Sequence, residues 1–529
     1  MTDRIDAEAA VAEPLEFDQP AGDGALTTAT VKGGAWRAVS VLGGAVVQFL
    51  VAVVLARLLE PEDFGTIAIV LVVLGLAQTL SYLGVGPALV QRRVLSPEDV
   101  RTAWTIACLI GVGAACLFAA AGPLFAALVG PAGDAAVFIA MSPVLLLLSW
   151  RMCSLALLRR ALRFKALVVV DLGSYVLGYA AVAIGGALAG WGLWALVAGT
   201  LVQGVLATGA AYAFVRHPLR LGIDRGAARE LVHFGGGMTA SGLANYIALN
   251  GDYFVVGRLL GAAPLGLYTR AYHLMNLPLS HIAQVLSQVL LPAYSRVQGD
   301  KVRLARGYLA SVYLVFLLSS PIMMFVVLAA PRLVPFLYGP KWNGVVAPLQ
   351  VLAVFGAFRA TYHLGGAVVQ ACGRPWSEFT RQLVYAALIV VGSLIGAQWG
   401  LTGVAAAVGV AIVVMYAAMA HLAHDVVGFT WRAFAAAHRS GLAAAAAVLA
   451  VGIPLRAAAD ASGWSDLLAL SLLVLIMVAA LVAAIGLLPL SWRPRGVDHA
   501  LASATRLLPG RAGAAAQRVM RVRGIEARA

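Results

Sequence analysis

Arg57-Leu58-Leu59-Glu60-Pro61-Glu62-Asp63-Phe64-Gly65 and Arg258-Leu259-Leu260-Gly261-Ala262-Ala263-Pro264-Leu265-Gly266 share one pattern: Arg-Leu-Leu, four intervening residues, then a large apolar residue and glycine. A long apolar run precedes each copy and another follows it, so each reads as a tight hairpin between two helices. The copies lie roughly 200 residues apart, far beyond the 20 to 50 of a solenoid repeat, which points to a duplicated half-molecule.

The 529 residues are 61% hydrophobic and only 12% charged, against roughly 25% charged in soluble domains. Runs of about 20 apolar residues suit helices rising about 1.5 Å per residue through a hydrocarbon core of about 30 Å. A barrel would need short alternating strands instead. The composition predicts an all-α polytopic membrane protein of about 14 spans: two pseudo-symmetric six-helix lobes and two extra helices. About six spans separate the two hairpins, so the lobes share one orientation and flank a cleft on a pseudo-two-fold axis along the membrane normal.

The net charge of +14 does not indicate a nucleic-acid partner, because of where the charges fall. Basic loops at Arg92 to Arg101, Arg159 to Lys165, Arg216 to Arg229, Arg296 to Arg306, Arg374 to Arg381 and Arg432 to Arg439, with a tail after Arg493, alternate with loops nearly free of Lys and Arg. The positive-inside rule puts the basic set and both termini in the cytoplasm. Cys108, Cys116, Cys153 and Cys372 lack metal or disulfide spacing and read as small core residues.

In chain order, residues 1–32 are acidic and without the basic region of a signal peptide, and are expected to be a disordered cytoplasmic segment. An N-lobe of six spans follows over 33–215, then an inter-lobe loop over 216–230 and a C-lobe of six spans over 231–425. Two further spans lie within 441–490, and 491–529 is a basic tail whose Val497 to Leu508 stretch suits either an amphipathic helix on the inner leaflet or a solvated chain.

Val54 to Gly65, followed by Leu83-Gly84-Val85-Gly86-Pro87-Ala88-Leu89-Val90-Gln91, closely resembles the oligosaccharide-lipid flippases of bacterial polysaccharide synthesis. Asn250 to Gly261 and Leu265-Gly266-Leu267-Tyr268 resemble the same family in the second half. These flippases share a superfamily with multidrug and toxin extruders. The resemblance covers roughly 33–490 and implies fourteen spans in two bundles around a V-shaped cavity. It also implies outward movement of an undecaprenyl-diphosphate-linked oligosaccharide by alternating access, with that substrate, membrane lipids and a polysaccharide polymerase and chain-length machinery as partners. No cofactor is implied.

Polar residues inside the spans supply candidates of their own. An Arg near mid-membrane costs about 2.5–3.5 kcal/mol on insertion scales, so such residues face a wet cavity or a partner. Span eight carries Arg270, His273, His281, Gln284 and Gln288 within an arc of roughly 80°. Span ten carries Arg359, His363 and Gln370 on one face, span one Arg37, Ser40 and Gln48, and span seven Ser241, Asn245 and Asp252. Arg37, Arg270 and Arg359 are the candidates for holding a diphosphate. Gln48, Asn245, His273, His281, Gln284, Gln288, His363 and Gln370 would form a polar wall for sugar hydroxyls. The competing reading makes the amides, hydroxyls and histidines interhelical packing contacts. Arg37, about a turn from the inner surface, could instead snorkel to the headgroups. Asp252 is either a coupling carboxylate or an arginine's partner, and Pro278 a candidate hinge.

Arginine forks match phosphate oxygens in two-point contact, and here arginine, histidine and amides outnumber acids. A flippase for an anionic lipid-linked sugar is therefore expected, not an enzyme. A cation-coupled multidrug antiporter would want more intramembrane carboxylates than Asp171 and Asp252. A membrane-bound glycan polymerase or transferase would want catalytic groups on a large outer loop, and none is visible. Neither a P-loop nor a metal site is apparent.

Overall fold

The computed structural model describes residues 43–486 apart from 82–85, 87–88, 91–94, 298 and 373. The acidic N-terminal segment, Arg37 and Ser40, most of the Leu83 to Gln91 motif and the basic tail lie outside the described residues.

The described chain is helical, without strands. In order the helices are α1 (Gly43–Leu58), α2 (Pro61–Ser81), α3 (Pro97–Ala120, extended by Gly122–Val129), α4 (Ala135–Arg160), α5 (Phe164–Leu188), α6 (Leu193–Phe214) and α7 (Arg225–Leu260). There follow α8 (Ala262–Arg296), α9 (Lys301–Tyr338), α10 (Val346–Ala371), α11 (Pro375–Gly396), α12 (Gly400–Val427), α13 (Trp431–Ala461) and α14 (Asp466–Gly486). The fourteen elements agree with the sequence expectation. Most are long and apolar enough to cross a membrane. The polar-striped α7 and α8 and the short described part of α1 are not among those spans.

Local chemistry fixes where these helices start. Ser96 and Asp99 form a reciprocal capping box ahead of α3, with Pro97 at its first position. Asp134, Asp300 and Thr430 cap α4, α9 and α13 through their side-chain oxygens. Two π-helical stretches, Val169–Gly173 and Tyr175–Ala180, interrupt α5. Leu109, Leu117, Leu177, Leu188, Val451 and Leu475 stand exposed on helix faces, the pattern of surfaces that meet lipid rather than water. Cys153 is buried as a small core residue, whereas Cys116 lies on an exposed face.

The chain divides into two compact units, Met1–Gly266 and Leu267–Ala529. In the first, α3 packs on α4, α4 on α6, and α2 on α7. In the second, α9 packs on α10, α13 and α14, and α12 joins α10 to α11. Helix α7 clusters with the first unit although its sequence belongs to the second repeat, because its contacts run along α2. A packing unit and a duplicated segment are different things here.

Further repeated links appear beside the hairpins. Gly130-Pro131 and Gly339-Pro340 each open a short 3-10 turn, with glycine φ of 73° and 95°. Trp191-Gly192-Leu193 precedes α6 and Trp399-Gly400-Leu401 begins α12, with glycine φ of 53° and 68°. Such left-handed backbone suits glycine, which has no Cβ to clash.

Within the first unit the two Arg-Leu-Leu hairpins touch each other. A Cβ on Gly65 would overlap the carbonyl oxygen of Ala262, and one on Gly266 would overlap that of Pro61. Pro61 and Ala262 are equivalent positions of the repeat, as are Gly65 and Gly266. The contact is therefore reciprocal, as a two-fold axis requires.

Candidate functional site

In the second unit, helices α8, α9 and α10 bring cationic and aromatic side chains together. Arg359, in the middle of α10, is only 6% exposed. Its guanidinium carbon lies 4.9 Å from the ring centroid of Tyr272 on α8, inside the range of an attractive cation–π contact. His363, one turn along α10, has its ring centroid 4.1 Å from that of Tyr362, the planes tilted by 32°, and both lie in the field of Arg359. On α8, Arg270 is half-buried and lies within electrostatic reach of His273 and of Tyr338 at the end of α9.

The helical repeat accounts for this grouping. Arg359 and His363 are four residues apart and Arg270 and His273 three, so each pair shares a face. Tyr268 and Tyr272 stand four apart on α8, with centroids 6.1 Å apart. Gly356 admits the close approach of Met323 and Leu279 beside the site. The backbone of α8 runs on through Pro278 without a break. Proline still removes one intrahelical hydrogen bond there, which is where a bend costs least.

Other candidates lie elsewhere. Gln370, on the face expected to meet sugar, is an exposed residue whose amide donates to Glu378 Oε2 of α11 at 3.0 Å. It stands three turns along α10 from Arg359, and Gly366 makes the room for the Glu378 carboxylate. Gln48 is exposed on α1, and Asn245 is exposed on α7 in the first unit. Asp252 is 1% exposed in the same unit, with Oδ1 accepting the Tyr253 backbone N–H at 3.0 Å. The side chains of His281, Gln284 and Gln288 lie outside the described residues, as does Arg37. His421 pairs with Asp425 at 3.2 Å, and His424 Nδ1 donates to the Phe429 carbonyl at 2.7 Å. These three secure the end of α12, and no cluster suited to a metal occurs among the described residues.

Sequence reasoning missed Tyr272 and Tyr338. A tyrosine inside an apolar span reads as packing, and only the burial of Arg359 against it shows otherwise. The available signal was the Tyr268–Tyr272 spacing beside Arg270.

Comparison with known proteins agrees with this architecture. A family model described as "Polysaccharide biosynthesis protein" matches residues 54–347, more than half the chain. The lipopolysaccharide biosynthesis protein WzxC of Escherichia coli is 24% identical over 383 residues, covering 70% of this chain and 77% of that protein. The succinoglycan biosynthesis transport protein ExoT of Rhizobium meliloti is 27% identical over 320 residues, covering 60% and 64%. Among solved structures, the lipid II flippase MurJ in an inward closed conformation superposes with a TM-score of 0.69 at 12% identity, over 85% of this chain and 98% of MurJ. An inward-facing multidrug resistance MATE transporter superposes with a TM-score of 0.58 at 17% identity, over 74% and 99%. At such identities these two likenesses establish the fold. With the family match over more than half its length, the chain is a member of the polysaccharide biosynthesis protein family, and its apolar helices make it a multi-pass membrane protein.

Proposed function

We propose that this protein is a flippase that moves an undecaprenyl-diphosphate-linked oligosaccharide from the inner to the outer leaflet of the bacterial cytoplasmic membrane, by alternating access, for cell-surface polysaccharide synthesis. The observation that carries this reading is the buried Arg359 against Tyr272, two residues along α8 from Arg270, in a chain of this family. The names of the relatives, lipopolysaccharide biosynthesis and succinoglycan biosynthesis transport, support the substrate class.

Arg270 and Arg359, with Arg37 as a third candidate, hold the diphosphate. Paired N–H groups of a guanidinium meet its oxygens, and the interior of a helix bundle strengthens the attraction. The neighbouring tyrosines and histidines meet the sugar, and the lipid tail stays between helices. Export of about two negative charges from a negative interior gains about 2.3 kcal/mol per charge per 100 mV, enough to bias the step outward. The carboxylate-poor site disfavours the cation-antiport alternative, which would have to use Asp252. A polysaccharide polymerase and chain-length machinery are the proposed protein partners on the outer side.

The test is translocation of a fluorescent undecaprenyl-diphosphate oligosaccharide in proteoliposomes. We expect Arg359→Ala to slow it at least about tenfold and the Arg270→Ala, Arg359→Ala double variant to abolish it, with folded protein in both. Unchanged transport in the double variant removes the assignment. No flipping by the wild type, under a membrane potential, together with cation-driven drug uptake lost in Asp252→Asn, establishes the antiporter instead.

A further inference from the structure

The reciprocal contact between the two hairpins has a consequence for transport. Gly65 lies in the second turn of α2 and Gly266 in the second turn of α8, and each presents its Cα to the first carbonyl of the other helix. Neighbouring residues extend the contact along the α2–α7 seam. Gly257 sits beside Ile69, Ala132 and Leu265, and the Arg258 guanidinium lies over Gly130. Deeper in, Tyr246 of α7 donates to the Val72 carbonyl of α2 at 2.9 Å. Its hydroxyl occupies the space that a side chain on Gly75 would need. Ile69, Val70, Leu265 and Val256 along this seam are all fully buried.

We propose that Gly65 and Gly266 form a self-complementary latch that holds the outer side of the transporter shut, with the Tyr246–Val72 hydrogen bond as its inner catch. A Cβ at either glycine overlaps a backbone carbonyl while the hairpins are together and meets nothing of the partner hairpin once they part. The missing side chains therefore stabilise the closed arrangement alone. A substitution shifts a two-state equilibrium only through such a difference between the states. Duplication explains why the device is doubled. Hairpins descended from one ancestor meet across a two-fold axis, so a glycine that permits contact on one side permits it on both. The inference relies on the transport reading in one respect, that the outer side must open for release.

The experiment is outside labelling in proteoliposomes without substrate. Cys108, Cys116, Cys153 and Cys372 are first replaced, and Ile69→Cys then serves as the reporter, four residues inward from Gly65. A membrane-impermeant maleimide reports its exposure. Glu62→Cys, on the exposed surface of the first hairpin, marks the outer side and labels throughout. In the parent, Ile69→Cys is protected. Gly65→Ala and Gly266→Ala each raise its labelling rate about tenfold. Gly113→Ala, at a glycine with no atom within 4 Å of the added Cβ, leaves it unchanged. Tyr246→Phe keeps the ring and removes only the hydrogen bond, so it gives a smaller rise and carries the test should an alanine variant not fold. Labelling at the parent rate in the folded variants overturns the latch. A wild type that labels as described but never flips a lipid-linked oligosaccharide tells against the transport reading instead.

Discussion

Leu162 adopts left-handed backbone, φ 52°, the one non-glycine position with positive φ among the described residues. It closes α4 in a Schellman arrangement: Arg163 N–H bonds the Leu158 carbonyl at 3.0 Å and Leu162 N–H bonds that of Arg159 at 3.1 Å. Glycine is preferred at this position because an L side chain crowds the neighbouring carbonyl, and Gly190 fills the same role after α5 with φ 81°. Leu162 is 44% exposed, so its side chain contributes little packing to offset that strain. Leu162→Gly should raise stability by about 1 kcal/mol, read as a higher melting temperature in detergent, and an unchanged or lower value would mean that the leucine packs usefully in the membrane. At this scale the sequence was partly legible. Helical periodicity found Arg270 with His273 and Arg359 with His363, because neighbours on one helix are a matter of counting. It could not find Tyr272 over Arg359, or the bond that turns Gln370 toward Glu378, because those partners lie on other helices.

The link from α6 to α7 is firmly held to the ends of α3 and α4. Thr105 Oγ1 donates to the Gly222 carbonyl at 3.0 Å and accepts from its N–H at 2.9 Å, while Thr102 Oγ1 accepts the Asp224 N–H at 3.0 Å. Trp104 Nε1 donates to the Leu219 carbonyl at 3.2 Å, and Arg163 donates to that of Phe214 at 3.2 Å. His217 lies beneath, 4% exposed, with its ring 5.0 Å from Trp104 and 5.4 Å from Tyr212. Burial lowers its pKa from the ordinary value, and the Pro218 carbonyl opposes that only in part. The docked loop thus favours neutral imidazole. Its stability is complete above the free-histidine pKa of about 6.5 and falls as pH drops below it, because the undocked state then binds the proton more readily. Trypsin cleavage after Arg216 or Arg220 should accelerate between pH 7.5 and 5.5 by at most about tenfold per unit, once corrected for the protease's own pH dependence. His217→Phe should flatten the profile, and a wild-type profile that is already flat would remove the histidine from this role. The loop was legible only as a basic linker, since Thr102 and Thr105 sit more than a hundred residues away in sequence. Apolar run length sufficed for most of the helices.

Over the whole chain the parity of the links separates the two membrane faces. Links from an odd to an even helix are short and nearly uncharged: Gly261 alone joins α7 to α8, and Gly339 to Val345 carries Lys341 as its single basic residue. Links from an even to an odd helix collect Arg163, Arg216, Arg220 and Arg374, with Arg101, Lys165, Lys301 and Arg432 in the adjoining turns. Exposed tryptophans mark both ends: Trp191, Trp194 and Trp399 at odd-to-even links, Trp376 and Trp431 at even-to-odd links. Aromatic rings of this kind settle at the headgroup level, and basic loops stay inside. We propose on this ground that the even-to-odd face, with both termini, lies in the cytoplasm. In a background without the native cysteines, Lys341→Cys and Ser462→Cys, both at exposed positions, should react with an impermeant thiol reagent in intact cells. Arg220→Cys, also exposed, should react only after the membrane is opened. The reverse pattern would invert the chain and move the Gly65–Gly266 contact from the outer to the cytoplasmic side.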